Sequence, residues 1–200
     1  FPTPEAAILH SPPPTTGYGF SKLLSEYLAR TYWEEFGVPY VIGRPFNAYG
    51  PGEESGDYVG YSHVIPDLVK KVLSGQRPLK ILGSGKQTRS YTFVDDVADA
   101  LLFIAEHARN DDLNIGAGAE TTVIDLAKMI WRLCGRKDGF EVVSVPPFEH
   151  DVQRRVPDIT KIRSLGWSAK VPLEQGLAWT IDHFAHANSG LESRLRKDRV

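Results

Sequence analysis

Between Pro14 and Pro39 the chain carries no proline, and no other stretch constrains its fold as strongly. Pro12, Pro13 and Pro14 forbid helix, and Thr15 or Thr16 can cap a new one directly after them. The run that follows is rich in Leu, Ala, Glu and Arg. Phe20, Leu24, Tyr27, Leu28 and Phe36 recur at helical spacing, and Gly37 ends the pattern. One long helix is expected through Phe36. On it Tyr18 and Lys22, four apart, share a face one turn from each other. The ammonium and the positive end of the helix dipole both favour a phenolate. A tyrosine placed in this way can take a proton from a hydroxyl while hydride leaves the adjacent carbon. Lys22, Glu26, Arg30 and Glu34 also form an i,i+4 line, which reads equally as a solvated salt-bridge ladder. Spacing alone leaves both readings open.

Two hundred residues, 42% apolar and 24% charged, suffice for one ordinary soluble domain. A net charge of −2 with interspersed signs carries no nucleic-acid footprint. No apolar run reaches the roughly 18 residues that cross a bilayer, so no membrane partner is expected. The single cysteine, Cys134, excludes an internal disulfide and suits a reducing, cytoplasmic setting; it reads as a small core residue. The six histidines show no metal-ligand spacing, so no metal is expected. Residues 1–17 read as an extended, proline-rich segment without an initiator Met, as in the later portion of a longer protein.

In order, Tyr40 to Gly43 reads as a strand after the helix, a unit of a parallel α/β sheet. The polar loop from Arg44 to Gly52 then lies at the strand's carboxyl end, where open α/β sheets bind ligands. Asn47 there either reaches a phosphate or sugar oxygen or simply makes a turn. Residues 53–62 read as a flexible loop, with Ser62 capping a helix from His63 to Leu73. Leu79 to Leu82 is a strand, and Gly83 to Lys86 a turn that lacks the rest of a phosphate loop. Gln87 to Val94 reads as one strand-like run carrying Arg89. Asp95 is expected to cap a helix over Val97–His107, with Asp96 beside it. Leu113 to Gly116 is a brief strand, Thr121 or Thr122 starts a helix to Leu133, and Val142 to Val145 is another strand. Asp151 to Pro157, with Arg154 and Arg155, reads as a loop, and a last helix is expected from about Leu173 to His186.

Taken together, Tyr-Gly-Phe-Ser-Lys at 18–22, Arg-Pro-Phe-Asn-Ala-Tyr-Gly-Pro-Gly at 44–52 and Gly-Ser-Gly-Lys-Gln-Thr-Arg-Ser-Tyr-Thr-Phe-Val-Asp-Asp-Val-Ala at 83–98 resemble the extended short-chain dehydrogenases. Arg-Arg-Val-Pro-Asp-Ile-Thr-Lys at 154–161, Leu-Gly-Trp at 165–167 and Val-Pro-Leu-Glu-Gln-Gly-Leu at 171–177 extend the likeness over nearly all of residues 1–187. Within that family the likeness is to nucleotide-sugar epimerases, dehydratases and decarboxylases.

The resemblance implies an α/β fold: the C-terminal part of a Rossmann-like parallel sheet, about 18–50 and 90–116, plus a small α/β substrate-binding domain. The latter would take about 51–89 and 117–172, followed by a terminal helix at 173–187 and a polar tail at 188–200. It also implies NAD as cofactor, which oxidises a sugar carbon and later returns the hydride. Tyr18 would be the catalytic base and Lys22 would bind the nicotinamide ribose, with Pro45 and Phe46 facing the nicotinamide. A nucleotide-diphosphate sugar would meet Asn47, His63 and Val64 at a helix amino end, the main chain of Lys80 and Leu82, Arg89, and Arg155 with Arg154 close behind. A homodimer through the tyrosine helix is a further implication. The family's Gly-x-x-Gly-x-x-Gly turn and upstream catalytic Ser or Thr do not occur, and both would lie before Phe1. A UDP-glucuronate decarboxylase-like activity and a non-catalytic nucleotide-sugar-binding module are the alternatives.

Overall fold

A computed structural model of the chain describes residues 1–53, 63–147 and 152–197, with side chains through residue 186. The expected Ser62 cap and most of the loop before it lie outside the described residues, as do His150 and Asp151.

The first helix, α1, spans Gly17–Phe36. Thr16 caps it by accepting the Gly19 amide at 3.1 Å, and Gly37 ends it at φ 67°, the left-handed conformation that glycine adopts without strain. The expected ladder does not form. Glu26 accepts both edges of the Arg44 guanidinium at 2.8 and 2.7 Å, and Arg30 reaches Asp112 at 3.5 Å. These contacts hold α1 against β1 (Val41–Pro45), which pairs in parallel with β6 (Asp111–Ile115), Val41 opposite Asp111.

Upstream of α1 the chain departs from the extended reading, because Glu5–His10 winds into a 3-10 helix. Pro4 suits the position before such a turn, and the Glu5 carboxylate accepts the Asn114 amide at 2.9 Å.

Beyond β1, β2 (Ala48–Tyr49) precedes α2 (Val64–Leu73), β3 (Leu79–Leu82), β4 (Thr88–Arg89) and β5 (Thr92–Phe93). The run expected as one strand is therefore two, because its backbone changes partners at Ser90. Thr88 and Ser90 donate to Gln153 and Arg155, whereas Thr92 donates to Asn47. The helix α3 (Val94–His107), β6, β7 (Thr121–Thr122), α4 (Val123–Leu133), β8 (Val142–Val145) and β9 (Arg154–Arg155) follow, then α5 (Thr160–Ser164) and α6 (Leu173–Lys197). β9 corrects the loop reading: it lies parallel to β4, while β7 runs antiparallel along β4's other edge. α6 continues past the expected His186 end, through residues with no proline among them.

Two apolar clusters result. In one, Ile65, Leu68 and Val72 of α2 pack with Leu126 and Ile130 of α4 and Leu177 of α6, against β3, Tyr49, Tyr91 and Phe93. In the other, Val97, Ala100 and Ile104 of α3 meet Leu113 and Ile115 of β6, with Ile162 and Trp167. Cys134 is the cap residue after α4, half-buried against the first cluster, and burial pushes its thiol up to about 11.

Neither Asp95 nor Asp96 caps α3. The helix starts at Val94 behind a buried Phe93, placing both aspartates inside its first turn. Asp96 is 4% exposed, and its two oxygens accept the Lys170 and Val171 amides at 3.0 and 2.9 Å.

One acid-sensitive pair stands at the end of α4. The Arg136 guanidinium grips both oxygens of Asp138, at 2.8 and 2.6 Å, and stacks on Trp131 with 4.1 Å to the ring centroid. That fork holds the Asp138 carboxyl down at about 2. A carboxyl depressed on folding stabilises the protein above its ordinary value of about 4 and loses that contribution as pH falls through the folded value. The urea midpoint should therefore drop between about pH 4 and pH 2, and Asp138→Asn should flatten that drop. An unchanged profile would remove this pair from the acid response.

Among the described residues no helix is long and apolar enough to cross a membrane.

Candidate functional site

At the carboxyl end of β1 the chain turns through Phe46 and Asn47, and Asn47 sits at φ 44°. That conformation is uncommon outside glycine and is tolerated by asparagine. It is fixed from both sides: the Asn47 amide donates to the Ser90 carbonyl at 2.8 Å, and the Thr92 amide donates to the Asn47 carbonyl at 3.2 Å. An open cleft of about 470 Å³ lies over this turn, lined by Pro45, Phe46, Asn47 and Arg155, with Phe1 and Arg154 among its other walls. Four of the expected site residues thus share one surface, contributed by β1 and β9.

Arg89 joins them through register. β4 pairs with β9 so that Arg89 stands opposite Arg155 and Thr88 opposite Arg154. Residues opposite each other on adjacent strands present side chains to the same face, so Arg89 shares the sheet face of Arg155, with its Nη1 donating to the Thr88 carbonyl at 2.9 Å. Tyr91 registers both. It is 5% exposed and burial raises its phenol above the ordinary range, while the charges of Arg89 and Arg155 pull the other way.

The remaining expected residues lie elsewhere. Tyr18 is in the first turn of α1 and 74% exposed, with the Lys22 ammonium 5.5 Å from its ring centroid. The pair occupies one helix face as its spacing requires, on a helix that buries none of its residues. His63 is the cap residue of α2 and touches the Glu53 carboxylate; Val64 opens the helix, half-buried. Burial raises the Glu53 carboxyl, and the histidine contact opposes it.

Lys80 and Leu82 do not line the cleft, and their main-chain groups are engaged. The Lys80 amide donates to Gln76 at 2.9 Å, its carbonyl accepts from Lys71 at 3.1 Å, and the Leu82 carbonyl accepts from Gln87 at 2.8 Å. A base held there would displace these side chains.

Sequence reasoning missed Glu120. It lies just before β7, accepts both Nε and Nη2 of Arg154 at 2.8 Å, and accepts the Thr88 hydroxyl at 2.5 Å. Nothing in a sequence pattern joins positions 120 and 154, which only the three-stranded order β7-β4-β9 brings together.

Chemically, the cleft offers a paired cationic wall beside a backbone turn, and α1 offers a phenol with a neighbouring ammonium. Known proteins resemble this chain in sequence and in fold. The GDP-L-fucose synthase of Sinorhizobium fredii is 30% identical over 190 residues, 92% of this chain and 59% of that protein. UDP-glucuronic acid decarboxylase 1 of Xenopus tropicalis is 32% identical over 172 residues, 86% of this chain and 39% of that protein. The crystal structure of the Thermotoga maritima UDP-glucose 4-epimerase with UDP-glucose superimposes with a TM-score of 0.82 at 34% identity, covering 94% of this chain and 58% of that one. The chain thus spans about half the length of the proteins it matches. Residues 2–116, from just before the 3-10 helix through β6, match the NAD-dependent epimerase/dehydratase family, and on that match the chain belongs to it.

Proposed function

We propose that this chain supplies the substrate side of an NAD-dependent enzyme that epimerises or dehydrates a nucleoside-diphosphate sugar through transient hydride transfer at a sugar carbon. One observation carries the reading: Pro45, Phe46, Asn47 and Arg155 line a single cleft, with Arg89 in register beside Arg155. Two planar forks side by side suit the oxygens of a diphosphate. Asn47 borders the same anion, the amino end of α2 at His63 and Val64 favours its charge, and the main chain of Lys80 and Leu82 meets the base once Gln76, Lys71 and Gln87 give way.

The donor set fits the nicotinamide-ribose end of the cofactor: a phenol and an ammonium a turn apart on α1, and apolar Pro45 and Phe46 ending β1. NAD, when bound, supplies the hydride acceptor. Tyr18 would take the proton from the sugar hydroxyl, Lys22 would hold the ribose, and Pro45 and Phe46 would face the nicotinamide. The exposed Phe20, Leu24, Tyr27 and Leu28 of α1 suit a second copy of the chain, and sedimentation of the chain reads that homodimer directly.

Binding is testable without turnover. One of the UDP-, GDP-, CDP- or dTDP-sugars should raise the melting temperature in a dose-dependent way, and Arg155→Ala should weaken that ligand about 10- to 100-fold by removing a charge-assisted contact. No shift with any of the four overturns the reading. The likeness to UDP-glucuronic acid decarboxylase over 86% of the chain keeps one second reading: release of carbon dioxide from a carboxylated nucleotide sugar would select it. A non-catalytic module would bind and stay silent in a hydride assay.

A further inference from the structure

Two adjacent arginines line the cleft, and they point to opposite faces of β9. Arg154 has its fork taken by Glu120, two parallel bonds of 2.8 Å, while its guanidinium lies over the Phe1 ring at 5.0 Å. Arg155 follows it in β9, and the pleat turns it to the opposite face, opposite Arg89. β9 itself is only two residues long. Beyond the pairing of Thr88 and Arg89 with Arg154 and Arg155, the Thr88 amide donates to Gln153 at 2.9 Å and the Ser90 amide to Arg155 at 3.1 Å. So short a strand needs side-chain support to keep its register.

Glu120 provides that support from the far edge of the sheet. It precedes β7, bonds Thr88 of β4 at 2.5 Å and grips Arg154 of β9, so one carboxylate ties all three strands. We infer that the Glu120–Arg154 pair is a positioning clasp: it fixes β9 on β4 and thereby sets Arg155 beside Arg89 to receive the diphosphate. Glu120 touches no ligand in this arrangement. Its influence passes through Arg154 and the strand. The ligand half of this inference rests on the function proposed above; the clasp itself does not.

The two halves separate in experiment. Hydrogen exchange of the Thr88 and Ser90 amides should quicken about tenfold in Glu120→Gln, and in Glu120→Ala as the second variant. It should be unchanged in Glu141→Gln, which breaks the distant pair with Arg77 instead. Affinity for the protecting nucleotide sugar should fall about three- to tenfold in Glu120→Gln, and less than twofold when the same change is made in an Arg155→Ala background. Unchanged amide exchange in both Glu120 variants overturns the clasp whatever the ligand does. Tighter binding in Glu120→Gln overturns it too, because Arg154 would then be the anion ligand and Glu120 its competitor. Equal weakening in the Arg155→Ala background places the effect somewhere other than Arg155 and overturns the positioning role. If the unaltered chain binds none of the four sugars, the proposed function and the ligand half fall, while the exchange result still decides the clasp.

Discussion

Tyr18→Phe is expected to cut turnover of the nucleotide sugar about 10²- to 10⁴-fold, the range a positioned general base supplies, and to leave sugar-nucleotide affinity within about twofold. The assay follows turnover, with NAD added, of the nucleotide sugar that protects the protein thermally. The split between rate and affinity follows from the geometry. The phenol stands in the first turn of α1, with the Lys22 ammonium 5.5 Å from the ring centroid, whereas the arginines proposed to hold the diphosphate, Arg89 and Arg155, stand on β4 and β9. Removing one oxygen from a side chain that is 74% exposed changes stability by less than about 0.5 kcal/mol, so lost turnover cannot be blamed on unfolding. Turnover kept within about threefold of the unaltered protein sinks the assignment of Tyr18.

Much of the chain was legible because its signals are local. α1 could be placed from prolines, a Thr cap and a glycine stop, since each acts within a turn of its own position. β1, β3, β6 and β8 were readable as short apolar runs between turn residues. What could not be read is what depends on partners far along the chain. Gln87 to Val94 looks uniform, yet Ser90 bonds Arg155 and Thr92 bonds Asn47, so the run splits between two sheets. β9 is a strand only because β4 lies beside it. The ladder of Lys22, Glu26, Arg30 and Glu34 was plausible on the helix alone, but Arg44 and Asp112 offered Glu26 and Arg30 less exposed partners. In the candidate site, Asn47 and Arg155 announce themselves by residue type, whereas Glu120 is an ordinary surface carboxylate until the sheet order brings Arg154 to it.

Asp96 is the sharpest case of this difference, and its replacement should carry the largest cost in stability. Two adjacent aspartates at a helix start read as dipole-favourable residues, and on that reading Asp95 and Asp96 would matter equally, by roughly 0.3–1 kcal/mol each. The structure separates them. Asp95 is exposed, while Asp96 is 4% exposed and accepts two backbone amides from a segment more than seventy positions away, Lys170 at 3.0 Å and Val171 at 2.9 Å. Asp96→Ala removes the acceptor of both amides, at about 1.5–3 kcal/mol for each charge-assisted bond, hence at most roughly 3–6 kcal/mol in all. Asp96→Asn keeps one acceptor oxygen and should lose about half as much. Asp95→Ala should stay below about 1 kcal/mol. Urea unfolding of the three variants decides between the readings: equal small losses at 95 and 96 would make both mere dipole partners. A large loss at 96 alone makes it the tie between α3 and the Lys170–Val171 segment that leads into α6.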